Sequence, residues 1–91
     1  MTAWQHKRSR LEIYFDVLRV IRRGTNKPTR IMYSSNPSWL PLTRILSSLT
    51  SRGYIANEQF RGHSFYKITA KGWQALEQWD QSYKLLREDL D

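Results

Sequence analysis

The sequence predicts a mainly α fold with a small β-hairpin, ending in a long helix. Three observations carry that reading. Apolar residues recur at three- and four-residue spacing in the stretches 11–21, 42–49 and 76–90. A single stretch, 54–68, has strand composition, and it is split by Arg61-Gly62-His63. The apolar positions Leu76, Trp79, Tyr83, Leu86 and Leu90 follow one another at intervals of 3, 4, 3 and 4 residues, a heptad stripe.

Taken in order, residues 1–8 show no apolar periodicity and carry Lys7 and Arg8, so they are expected to form a flexible basic arm. Ser9 and Glu12 form an S-x-x-E capping box, in which the hydroxyl accepts from the third backbone N–H and the carboxylate reaches back. Leu11, Tyr14, Phe15, Leu18 and Ile21 then make one buried stripe on a first helix running to about Arg23, with Gly24 ending it. Thr25-Asn26-Lys27-Pro28 reads as a turn or very short strand.

Thr29 is expected to cap a short second helix through Tyr33, broken at Ser34-Ser35-Asn36-Pro37. Ser38 caps a third, over residues 39–52, closed by Gly53; Pro41 is tolerated because a first-turn N–H has no intrahelical partner. Leu42, Ile45, Leu46 and Leu49 share one face of it, and Leu40, Thr43, Arg44, Ser47 and Ser51 the other. The hairpin follows, with Phe65 and Lys67 alternating against Tyr66 and Ile68. Thr69 caps the last helix, which should persist to about Asp89.

Composition limits the function. The chain has 91 residues, one domain's worth, and no cysteine, which excludes disulfides, Cys-ligated zinc or iron–sulfur sites and thiol chemistry. No run of 18 apolar residues and no apolar signal segment is present, so a cytoplasmic, nucleoid-associated location is expected, with no membrane partner. His6 and His63 are far apart and no carboxylate stands at ligand spacing from either; no catalytic or metal site, no cofactor and no small-molecule substrate is expected. No phosphate-binding glycine loop, nucleophile elbow or zinc-protease motif occurs, which argues against an enzyme.

Charge points elsewhere. Residues 1–75 hold 13 Lys/Arg against 3 Asp/Glu, whereas residues 76–91 hold 2 against 5. A basic body with an acidic end suggests a polyanion partner for the body and a separate task for the end. Two helices joined by a tight turn, then a hairpin with a basic tip, is the order of a winged helix-turn-helix, whose third helix fills a major groove and whose hairpin reaches flanking backbone.

The motifs S-x-L-E-I at 9–13, T-R-I-M-Y-S-S-N at 29–36, S-W-x-x-L-x-x-I-L-x-x-L-x-x-x-G-Y-I at 38–55 and Y-K-I-T-x-K-G at 66–72 resemble those of the small archaeal winged-helix DNA-binding proteins. The resemblance covers residues 9 to about 90. It implies double-stranded DNA binding and a homodimer held by a C-terminal helix that pairs antiparallel with its mate. Pro37 stands where the family usually has leucine and Pro41 where it is usually polar, so no base preference carries over.

The expected organisation is therefore an arm at 1–8, a winged-helix DNA-binding domain at 9–72 and a coiled-coil dimerisation helix at 73–91. Candidate DNA contacts are Lys27, Thr29 and Arg30 at the start of helix two, Ser38, Thr43, Arg44 and Ser47 on helix three, and Arg61, His63 and Lys67 on the hairpin. Candidate dimer contacts are Leu76, Trp79, Tyr83, Leu86 and Leu90. The protein would act as a transcriptional regulator or a nucleoid-associated protein; the competing reading is a protein-interaction module that uses the winged helix and the aromatic last helix. RNA binding is disfavoured, because a two-stranded hairpin offers little platform for stacking bases.

Overall fold

A computed structural model describes residues 10–35 and 39–90, apart from the side chains of residues 39, 40 and 90. The elements are α1 (Arg10–Arg22), α2 (Pro28–Ser35), α3 (Trp39–Ser51), β1 (Ile55–Phe60), β2 (His63–Ile68) and α4 (Ala70–Leu90). The expected arm and the Ser9 cap lie outside the described residues, as does Ser38, both as a cap and as a DNA contact.

Helix α1 buries a wider arc than a single stripe. Val17, Leu18, Val20 and Ile21 are all buried, because α1 packs against α2 on one side and α4 on the other. Leu11, expected in the stripe, is 52% exposed. It rims a small hollow bounded by Phe15, Leu18, Leu49, Tyr54 and Ala75, where a first-turn residue has cover on one side only.

Two element boundaries differ from expectation for local reasons. Helix α2 begins at Pro28, and the Ile31 N–H donates to the Lys27 carbonyl at 2.9 Å, so Lys27 occupies the cap position and Thr29 the second helical position. Proline suits that first position, since its φ is already helical and its missing N–H would have had no partner. The helix also continues through Ser34 and Ser35. The buried Ser35 hydroxyl donates to the Ile31 carbonyl at 2.5 Å, which satisfies it within the helix.

Helix α3 ends in a Schellman pair: the Gly53 N–H donates to the Thr50 carbonyl at 3.1 Å and the Tyr54 N–H to the Leu49 carbonyl at 2.9 Å. Gly53 takes φ +83° there, where a Cβ would be strained. The chain then enters an antiparallel hairpin with Ile55 opposite Ile68 at its buried root and Phe60 opposite His63 at its tip. His63 is thus the first residue of β2. The connection is the two residues Arg61 (φ 51°) and Gly62 (φ 80°), both positive, as a type I′ turn requires. Residues 25–27 add no strand, but the Tyr66 N–H donates to the Asn26 carbonyl at 2.9 Å and ties the hairpin to the α1–α2 connection.

The core joins every helix to the hairpin root. Ile31, Leu42, Ile55, Leu76 and Val17 are its most deeply buried large side chains. The start of α4 is locked to the end of α3 and the root of the hairpin. Thr69 caps α4 by accepting from the Gly72 N–H at 3.1 Å, and its hydroxyl lies within donating distance of the carbonyls of Gly53 (2.6 Å) and Tyr54 (3.0 Å). The Thr69 N–H also donates to the Tyr54 carbonyl, at 3.1 Å. Gly72 passes so close that a Cβ there would lie 2.1 Å from the Tyr54 oxygen.

Gly72→Ala is therefore expected to destabilise the fold, although alanine is ordinarily the better helix former. Overpacking of this kind costs about 1–3 kcal/mol, readable as a lowered denaturant midpoint with an unchanged slope. An unchanged or raised midpoint would contradict the close approach.

Candidate nucleic-acid interface

The exposed surface of α3 divides into two sides. Thr43, Ser47 and Ser51 face the hairpin, and with Pro28 of α2 and Asn57, Ser64 and Tyr66 of the hairpin they line an open cleft of about 460 Å³. The alternation of the strands makes this possible. Asn57, Gln59, Ser64 and Tyr66 lie on the hairpin face turned to α3, and Ala56, Glu58, Phe65 and Lys67 on the other. No acidic side chain is among the residues that line the cleft. Short hydroxyls and amides allow close approach of another surface and offer hydrogen bonds without charge.

Arg44 lies on the other side of α3. It borders a separate groove with Arg10, Ile13, Tyr14, Pro41 and Ile45, between α3 and the first turns of α1. The ridge of α3 is thus flanked by a neutral, hydroxyl-lined cleft and by a groove carrying two guanidinium groups. Lys27, Thr29 and Arg30 are exposed at the start of α2, and Arg61 and His63 at the hairpin tip. The Lys27 ammonium sits 6.0 Å from the Phe65 ring centroid and the Arg61 guanidinium 5.2 Å from that of Phe60. Thr43 and Ser47 therefore come together with Pro28 of α2 around one cleft, whereas Lys27 lies against Phe65 on the other face of the hairpin, Arg44 on the other side of α3, and Arg61 and His63 at the tip.

Lys67 differs from the others. It lies on the hairpin face turned away from the cleft, and its ammonium is 3.6 Å from the Glu58 carboxylate, with both side chains exposed. Some cations unnoticed in the sequence are engaged within the fold. Lys71 donates to the Arg52 carbonyl at 2.8 Å and lies 4.5 Å from the Tyr54 ring centroid, and Arg52 donates to Ser48.

The heptad stripe of α4 also divides, and this corrects its expected use. Leu76 is fully buried in the core of its own domain and cannot contact a mate. Trp79 stacks on Phe15 of α1, ring centroids 4.5 Å apart and planes 7° from parallel. Beside that stack Asp80 accepts from Arg19 at 2.5 Å and stands 3.8 Å from Arg22, while Arg19 also pairs with Asp16 at 3.0 Å. Packing on the body therefore runs past the boundary expected at 72/73, and one of the acidic residues of the end piece is spent inside the domain. Beyond it, residues 81–89 are all exposed, including Tyr83 (56%), Leu85 (61%) and Leu86 (59%). Leu85 was absent from the expected stripe, and the Leu90 side chain lies outside the described residues.

Among the described residues, no group of three or more His, Cys, Asp or Glu side chains is placed to hold a metal ion, and no helix is long and apolar enough to cross a membrane.

This arrangement, a helix-turn-helix followed by a hairpin wing, defines a class. The pattern of the winged helix-turn-helix family matches residues 7–87, and the chain belongs to that family. An uncharacterised protein of Methanocaldococcus jannaschii is 37% identical over 51 residues, 56% of this chain and 53% of that protein, so the chain spans about half the length of this curated relative. Among solved structures, Sso10a-2, a DNA-binding protein from Sulfolobus solfataricus, superposes with a TM-score of 0.73 at 26% identity, over 91% of this chain and 85% of that one. A MarR family transcriptional regulator from Silicibacter pomeroyi shares the fold with a TM-score of 0.70 at 19% identity, over 96% of this chain and 62% of that one.

Proposed function

We propose that the chain is a double-stranded DNA-binding protein of the transcription-regulator type, with α3 in the major groove and the hairpin on the flanking backbone. The observation that carries this reading is the surface around α3: a cleft with no acidic side chain among the described residues that line it, and the exposed cations Lys27, Arg30, Arg44 and Arg61 on α3 and the elements next to it. A neutral hydroxyl ridge lets the helix approach base edges, and the cations around it attract phosphate. Family membership and the similarity to a DNA-binding protein support it. No catalytic step is proposed.

The protein works as a homodimer through the distal half of α4. Tyr83, Leu85 and Leu86 are exposed on a helix of 21 residues, about 30 Å long, whose described residues from 81 to 89 are all exposed. Two-fold symmetry then calls for a roughly palindromic site, with half-sites about one duplex turn apart or a multiple of it. A role in protein docking is the second reading, favoured by the same exposed apolar residues and by exposed Pro41 on α3.

Fluorescence anisotropy of a labelled duplex across a salt series tests the DNA reading. If Lys27, Arg30 and Arg61 each meet one phosphate in each protomer, log K falls against log salt with a slope of about −5. Arg61→Ala should make that slope shallower by about 2. Arg44→Ala should lower discrimination between a selected site and its single-base variants by about 1–3 kcal/mol if Arg44 reads a base. Duplex binding that is absent, or indifferent to salt, would favour protein docking instead.

For the dimer, Leu86→Glu should convert the sedimenting species to half its mass while leaving the far-ultraviolet helical signal of the body in place. Burial of one leucine is worth about 1.5–3 kcal/mol, and the substitution appears twice per dimer. A mass unaffected by the substitution would remove Leu86 from the interface.

A further inference from the structure

The wing tip carries an aromatic side chain that the fold does not use. Phe60 is the last residue of β1 and is 61% exposed. Burial along β1 falls away after Ile55 and Ala56, and each strand has six residues, about 20 Å, so the tip stands clear of the core. A polar residue would close the same two-residue turn equally well, so the ring is not there for the turn.

Its surroundings identify the kind of partner. The Arg61 guanidinium lies 5.2 Å from the Phe60 ring centroid, and exposed His63 is the cross-strand neighbour. The nearest acidic residue along the strand, Glu58, is drawn to Lys67 two rungs further from the tip. On the opposite face the Gln59 amide donates to Ser64 at 2.8 Å and to Asn57 at 3.1 Å, bracing the strands just behind the tip. A braced point bearing one flat apolar ring and one guanidinium suits a partner whose stacked aromatic steps can be opened from their edges beside concentrated negative charge. Duplex DNA has that combination in its minor groove.

We infer that Phe60 is a wedge: with Arg61 in the minor groove flanking each half-site, the ring presses into one base step, opens its stack and bends the duplex. The inference rests on the DNA-binding reading above and adds a role that charge alone does not supply. Wedges of this kind kink DNA by about 20–90°, toward the major groove.

The test uses the full chain on a duplex carrying 2-aminopurine at successive flanking positions and a donor–acceptor dye pair at its ends. The wild type should brighten the probe at one step outside each half-site and shorten the end-to-end distance. Phe60→Ala should lose both signals and bind about 5- to 150-fold more weakly per half-site with the salt slope unchanged, since the ring carries no charge. Phe60→Trp should keep both signals. Wild-type binding without brightening or bending would overturn the wedge, and so would a Phe60→Ala protein that retains both signals, or one whose oligomeric mass changes in the absence of DNA. If the wild type binds no duplex, the DNA reading itself fails and the wedge falls with it.

Discussion

The structure turns on the contact between the Tyr54 carbonyl and the start of α4. Four chain directions meet there: α3 ends at Gly53, the hairpin leaves at Ile55 and returns at Ile68, and α4 begins after the Thr69 cap. Thr69 supplies an N–H and a hydroxyl to this junction, and Gly72 supplies the empty space that lets the helix sit against the Tyr54 oxygen. The angle between α3 and the wing and the direction in which α4 departs are consequently fixed by one small set of hydrogen bonds. Displacing α4 there would shift the cleft and the projecting arm together.

A second clamp determines how much of α4 belongs to the body. The Phe15–Trp79 stack and the Asp80 carboxylate between Arg19 and Arg22 hold the helix to α1 over its first half. Each ion pair is partly exposed, and pairs of that kind contribute about 0.2–1 kcal/mol, so the aromatic contact and buried Leu76 carry more of the attachment than the charges do. The charges orient the helix on α1, and beyond that contact Tyr83, Leu85 and Leu86 are exposed. In the proposed DNA reading, the cations around α3 supply a general attraction for a polyanion, and the hydroxyl ridge and the wing tip set how closely it is met.

What could be read in the sequence was local. Thr69 as a cap, Gly53 as a helix stop and the break of the hairpin at Arg61-Gly62 are signalled by neighbouring residues and hold in the structure. The outward positions Thr43, Arg44 and Ser47 followed from helical periodicity, but which of them faces the wing did not, because that depends on where the hairpin packs. The stripe from Leu76 to Leu90 shows the same limit. A three-four spacing marks a face to be covered and is silent on what covers it; Leu76 and Trp79 are covered by α1 and the core, and only the positions beyond Asp80 stay open. Pairs distant in sequence, such as Arg19 with Asp80 and Lys67 with Glu58, depend on packing and strand register. The break expected from Asn36-Pro37 is local to those residues, and α2 keeps its helical form through Ser35, whose hydroxyl bonds the carbonyl four residues back.

A proton–nitrogen correlation spectrum of the labelled protein, titrated with a short duplex, tests the central claim most directly. The largest shift changes are expected at Lys27–Arg30 and Thr43–Ser51, which line or flank the cleft, and at Phe60–His63 on the wing tip, with residues 81–89 of α4 unmoved. Changes confined to the exposed half of α4, or none under low-salt conditions, would contradict a DNA face built on α3 and the wing.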